Sequence, residues 1–302
     1  MKAIVVHEYG SPEVLKYEDF ADPPAKPGDV VIRVAASSVN PIDLKRRSGV
    51  AKEYAPIQFP GILGKDVAGT ISALGPGLTG WKVGDQVLAF ADATYAQLCP
   101  VNASTLVKVP SGIQLPDAAA LPCVATTGFQ LVAEAAGIKA GHTVLVSGAV
   151  GSVGRCAVFL AKQRGANVIA GVRKKQLTDA ANLGADSVVA IDDEAAIAKL
   201  PPLDAVADTV GGPTAEKLIA KLKSGGIFAS VLGPPANAKQ FPSVKSVGMR
   251  ARPDAQALQQ MSQAVASGKL TIPISKRFPL KDTAPAHAAV EAGTSGKVLL
   301  LI

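Results

Sequence analysis

The chain has 302 residues, 48% of them hydrophobic, enough to bury one large core or two of ordinary size. Its formal charge is +7, but aromatics make up only 4% and the basic residues gather only in Lys45-Arg46-Arg47 and Arg173-Lys174-Lys175; this argues against a nucleic-acid surface and for a compact anionic ligand. Three cysteines (Cys99, Cys123, Cys156), without a CxxC pair or a Cys/His cluster, support neither a disulfide framework nor a structural zinc.

The opening MKAIVVHEYG carries an apolar run too short for a signal peptide and reads as a first strand. No run approaches the length of a membrane span, so a soluble, cytoplasmic protein without a membrane partner is expected. Up to about residue 115 the chain alternates short β-branched runs with turn signals. The runs are 29–39, 67–74 and 81–90; the turns include Lys-Pro-Gly at 26–28 and Gly-Pro-Gly at 75–77. This pattern predicts a β-rich, partly barrel-like domain.

From 119 to 235 apolar strand candidates (143–147, 167–172, 187–191, 203–208, 226–232) alternate with helical segments, which predicts a parallel sheet covered by helices. Beyond about 250 lie a helix over 254–267 and an apolar end, KVLLLI, that reads as a last buried strand.

The stretch VLVSGAVGSVG (144–154) carries the chemistry. A buried strand runs into Gly148, Gly151 and Gly154, and Val153, Cys156, Ala157, Leu160 and Ala161 then mark one helix face. A strand, a glycine turn and a helix let backbone N–H groups approach a pyrophosphate at the helix N-terminus. Ser147, Gly148, Ala149, Val150, Gly151, Ser152, Val153 and Gly154 are therefore the expected cofactor-binding run. The next strand, VIAGVRKKQ (168–176), has no carboxylate at its end for ribose hydroxyls; the first acid is Asp179. Arg173 and Lys174 stand there instead, which favours NADPH over NADH, a solvated basic helix start being the alternative.

The glycine turn, LGAD (183–186), DTVGG (208–212) and the GG…LG run (225–233) together resemble the medium-chain dehydrogenase/reductase superfamily. So do NPIDLKRRSG (40–49), PGILGKDVAG (60–69), GWKVGDQV (80–87) and LPCVATTGFQ (121–130). The resemblance implies an α/β fold: a Rossmann-type doubly wound parallel sheet over 119–250, and a GroES-like catalytic domain assembled from 1–118 and 251–302. It also implies that Thr127 and Leu232 join the cofactor site, and that the protein is a homodimer. Zinc-dependent members carry Cys at the position of Asn40 and Gly-His-Glu at Gly64-Lys65-Asp66. Their ligands are missing here, so the chain resembles the zinc-independent quinone oxidoreductase (zeta-crystallin-like) and 2-alkenal (enone) reductase branch, with no metal. His7, His142 and His287 are expected to be surface or packing residues.

No YxxxK pair and no GxSxG elbow occurs. An acceptor that spreads hydride charge by conjugation needs little further apparatus, which points to a small-molecule quinone or enone substrate. Asn40, Lys45 and Tyr54 are the candidate catalytic residues; Asn40 is also a candidate cofactor contact. Asn40 as a turn residue before Pro41, Lys45 as a solvated cation and Asp66 as the partner of a neighbouring cation are the alternatives. A non-catalytic NADPH-binding sensor or crystallin-like protein is the rival to an enzyme.

Overall fold

The computed structural model describes all residues, 1–302. The chain divides into two compact units, one of Met1–Cys123 with Pro253–Ile302 and one of Val124–Arg252. The first division falls at 123/124 rather than 118/119. The short helix Asp117–Ala120 packs on the strands Asp29–Val39 and Asp66–Leu74, burying Ala118, Ala119 and Ala120 in the first unit. The helical stretch 117–135 corrects one expectation: its 19 residues are long and apolar enough to cross a membrane. Two-thirds of its apolar window (67%) is buried in the protein, as in a core helix.

The first unit is built on a seven-stranded sheet. Its strands run Ile274–Pro279, Lys297–Leu301, Asp29–Val39, Asp66–Leu74, Gln86–Phe90 and Val107–Lys108, and Leu98–Asn102 pairs with Asp29–Val39. The last strand of the chain lies antiparallel to Asp29–Val39 with Val298 opposite Val39. That register sets Lys297 beside Asn40. The expected strand over 81–90 begins only at Gln86, because Lys82 to Asp85 close a turn in which Asp85 N–H reaches the Lys82 carbonyl at 3.1 Å.

The second unit holds one six-stranded parallel sheet. Its strand order is Ser187–Ala190, Asn167–Val172, Thr143–Ser147, Leu203–Asp208, Leu222–Ser230, Lys245–Gly248. Numbered along the chain this is the doubly wound order whose crevice opens at the carboxyl ends of the first and fourth strands. Here those ends are Ser147 and Asp208. Val144, Val146, Val168, Ala170, Ala205 and Ala207 are buried against Ala157, Leu160 and Ala161 of the helix Ser152–Gln163, the apolar stripe that the 3.6-residue period requires.

Candidate active site

In the second unit the strand Thr143–Ser147 ends at a turn whose tightness excludes side chains. Gly148 has φ +65°, and a Cβ there would lie 2.4 Å from Thr209 Oγ1. A Cβ on Gly154 would lie 2.2 Å from the Gly148 carbonyl oxygen, so the helix packs on the turn as only glycine allows. Gly151 is the N-cap of Ser152–Gln163 and caps it with no side-chain hydrogen bond. The first-turn N–H groups of Ser152, Val153 and Gly154 therefore point out with the positive end of a 12-residue helix. Ala149 N–H is tied to the Gly171 carbonyl (3.1 Å), which ends the turn against the next strand. This cradle fits the pyrophosphate of a dinucleotide. Ser147 to Gly154 form one continuous structure.

At the end of Asn167–Val172, Arg173 and Lys174 are exposed, and neither side chain is engaged in an ion pair. Folding adds something that adjacency in sequence did not show. Asp192, beyond the neighbouring strand Ser187–Ala190, accepts the Lys174 backbone N–H at 2.8 Å. A carboxylate thus reaches this strand end after all, across 18 positions. Leu232 lies against Gly211, whose Cβ would meet Leu232 Cδ1 at 2.9 Å. Thr127 is buried on the helix Pro122–Gln130.

In the first unit Asn40 ends the strand Asp29–Val39 and caps the helix Pro41–Arg47. Its backbone N–H donates to Asp43 Oδ2 (2.9 Å), but its side chain turns into the protein. Asn40 Oδ1 accepts from Lys297 Nζ at 2.6 Å, and Nδ2 donates to Asp66 Oδ2 at 2.7 Å. Asp66, fully buried, also takes the Ser38 hydroxyl, the Cys123 N–H (2.6 Å) and Lys297 Nζ (3.3 Å). A ligand that reached Asn40 would have to displace one of these partners. Lys65, beside Asp66, points elsewhere and pairs with Asp92 at 2.5 Å.

Of the three consecutive cations on the helix, Arg46 pairs with Asp92 and Arg47 with Glu291. The Lys45 carbonyl accepts Ala51 N–H and the Ser48 hydroxyl; the residue is half-buried and its ammonium has no ion pair. Tyr54 follows in the loop, 40% exposed. Behind the helix runs a second buried chain. Tyr95 O–H donates to Asp43 Oδ2 (3.1 Å), and His287 Nε2 meets Tyr95 Oη and its Nδ1 meets Arg47 Nη1, each at 3.3 Å. Burial, reinforced by the Asp66 charge, raises the Asp43 carboxyl to about 6, while burial and then Arg47 hold His287 down to about 3. His287 is thus a neutral packing residue.

The sequence reading missed Lys297 and Asp208. The signal for each was a charge set at the end of an apolar run, Lys297 opening KVLLL and Asp208 closing LDAVAD. No three His, Cys, Asp or Glu side chains gather as a set that could hold a metal ion.

A doubly wound nucleotide-binding unit and a β-rich unit drawn from both ends of one chain define a two-domain dehydrogenase or reductase. Residues 26–113 match the alcohol dehydrogenase GroES-like domain and residues 183–300 the zinc-binding dehydrogenase domain. The acryloyl-coenzyme A reductase of Sulfurisphaera tokodaii is 31% identical, over 72% of either chain. The chloroplast envelope quinone oxidoreductase homolog of Arabidopsis thaliana is 29% identical over 99% of this chain and 98% of its own. The Escherichia coli quinone oxidoreductase, solved with NADPH, superposes with a TM-score of 0.88 at 26% identity over all of both chains. The chain belongs to the medium-chain dehydrogenase/reductase family, in its quinone oxidoreductase branch. It is an oxidoreductase that uses a nicotinamide cofactor and a small-molecule substrate.

Proposed function

We propose that this chain is an NADPH-dependent reductase of a quinone or an α,β-unsaturated carbonyl that works without a catalytic metal. The observation that carries the reading is the uncapped, glycine-lined helix N-terminus with Arg173 at the end of the adjacent strand. The turn amides would hold the pyrophosphate, and the Arg173 guanidinium would fork onto a 2′-phosphate. The bound reduced nicotinamide would supply the hydride.

The metal-free reading is supported by what occupies the place of the zinc ligands in the dehydrogenases the chain resembles. Asn40 and Asp66 share the Lys297 ammonium there, and a fixed cation opposes a divalent one. The remaining work is to stabilise charge on the acceptor oxygen, for which Lys45 and Tyr54 are the proposed donors. Conjugation in a quinone or enone keeps that demand small. The named activities of the plant and archaeal relatives and the NADPH in the bacterial structure agree with this reading.

Asp192 favours a second reading, NADH, because a carboxylate at this strand end suits ribose hydroxyls. Both are tested by following oxidation of NADPH and of NADH by purified, metal-free protein with 1,4-benzoquinone, 9,10-phenanthrenequinone and a short enone. Faster turnover with NADPH, lost in Arg173→Ala, is expected. Preference for NADH would overturn the cofactor assignment, and turnover only after zinc is added would overturn the metal-free one.

A further inference from the structure

Asp208 ends the strand Leu203–Asp208 at the crevice of the doubly wound sheet, and it is fully buried. Its carboxylate gathers donors from three strand ends. Ser147 Oγ, on the first strand, donates to Oδ1 at 2.6 Å. Ser230 Oγ, on the fifth, donates to Oδ2 at 2.6 Å. Val210 N–H (3.1 Å) and Gly211 N–H (3.1 Å to either oxygen) come from the loop that follows Asp208 itself. Each hydroxyl relays the contact onward. Ser147 Oγ accepts Thr209 N–H at 2.9 Å, and Ser230 Oγ accepts Leu232 N–H at 3.0 Å.

These bonds reach the glycine turn from below. Thr209 Oγ1 donates to the Ser147 carbonyl (2.7 Å) and lies 2.4 Å from where a Gly148 Cβ would be. Leu232 Cδ1 packs 2.9 Å from where a Gly211 Cβ would be. One carboxylate therefore sets the relative positions of three loops, 148–151, 209–212 and 231–234, at the mouth of the sheet. A buried carboxylate that accepts only hydroxyls and amides is costly unless every lone pair is used, and such a network is rigid when complete.

We infer that Asp208 is the positioning residue of the cofactor site: it preforms the pyrophosphate turn and the loop that carries Leu232 before any ligand arrives. This rests on the nicotinamide-cofactor reading above. The effect is local. Arg173 follows the strand Asn167–Val172, which lies on the far side of Thr143–Ser147 from Asp208. Asp208 thus governs the pyrophosphate and nicotinamide half of the ligand, and the 2′-phosphate end is held independently.

The test is calorimetric titration of the full chain and of Asp208→Ala, Asp208→Asn and Ser230→Ala with NADPH and with adenosine 2′-monophosphate. Amide hydrogen exchange of the free proteins accompanies it. Asp208→Ala is expected to weaken NADPH about tenfold or more, the loss of one or two buried hydrogen bonds, and to leave adenosine 2′-monophosphate within about threefold. Exchange should quicken at 148–151, 209–212 and 231–233 and not elsewhere. Asp208→Asn should recover most of the affinity, because one oxygen still serves the loop amides and the Ser230 hydroxyl can turn to accept the new N–H. If Asp208→Ala does not fold, Ser230→Ala carries the test, with a smaller loss confined to NADPH. Unchanged NADPH affinity in these variants overturns the inference, as does an equal loss for both ligands with no recovery in Asp208→Asn. A parent chain that binds neither ligand instead overturns the cofactor reading on which the inference stands.

Discussion

The Lys297 ammonium lies 2.6 Å from Asn40 Oδ1, although 257 positions separate the two residues. The antiparallel pairing of the last strand with Asp29–Val39 makes the meeting, and Asp66 completes it at 3.3 Å. Lys297 is 5% exposed and Asp66 not at all, so their charges are compensated by one another and by the surrounding amides.

Removal of one partner should leave the other buried and uncompensated. Lys297→Met is expected to destabilise the fold by about 3–5 kcal/mol, and Lys297→Met combined with Asp66→Asn by much less than the sum of the single changes. Urea unfolding of the four chains in this cycle measures the coupling; additive losses would contradict the pairing.

At the strand end beside the glycine turn, Arg173→Ala should raise the NADPH dissociation constant by about tenfold, one charge-assisted contact, and leave NADH unchanged. Asp192→Asn should move the preference the other way, towards NADPH, by removing a carboxylate that would repel a 2′-phosphate. Fluorescence titration with both cofactors decides the matter; equal effects on the two would remove Arg173 from the 2′-phosphate.

Gly151 and Gly154 should separate binding from stability. A methyl at Gly154 would strike the Gly148 carbonyl at 2.2 Å, whereas one at Gly151 would meet the same oxygen at 3.2 Å. Gly154→Ala is expected to cost about 1–3 kcal/mol and cofactor affinity together. Gly151→Ala should spare stability and lose affinity, because its methyl stands at the open helix end. Thermal melts with and without NADPH read both quantities.

The pH dependence of stability carries a signature of His287. Held down to about 3 in the folded chain against an ordinary 6.5, it takes up its proton only on unfolding, so its contribution is lost as pH falls from 6.5 towards 3. Asp43, raised to about 6 from 3.8, acts oppositely: the folded chain binds the proton first, and stability rises as pH falls through that window. His287→Gln should therefore be less stable than the parent at pH 8 and gain on it by up to about 1.4 kcal/mol per pH unit below pH 6.5. Parallel urea-unfolding curves at pH 8, 6 and 4.5 would refute this.

Lys45→Met tests the proposed oxygen-stabilising role. With no ion pair to lose, the variant should melt as the parent does, and its kcat should fall about 10- to 100-fold with little change in KM. A change in KM alone would make Lys45 a binding residue.

What was legible in the sequence was local. The strand Thr143–Ser147, the glycine turn and the helix after it follow from period and steric need, and Asn167–Val172 and Leu203–Asp208 match their apolar runs residue for residue. The place of Arg173 at a strand end was legible for the same reason, since it directly follows that strand. Asn40 was legible as the turn between strand and helix but not in its orientation, because nothing near it in sequence announces that its amide turns inward to Lys297.

By itself, then, the amino-acid order determined the alternating parallel unit, the β-rich unit and the cradle for an anionic cofactor, since backbone period and glycine conformation act over a few residues. Only the tertiary structure decided the partners of the buried charges. Asp66 with Lys297 and Asp208 with Ser147 and Ser230 meet across 231, 61 and 22 positions, through strand register. A buried charge must find compensation wherever the fold brings it, and a linear pattern does not encode that distance.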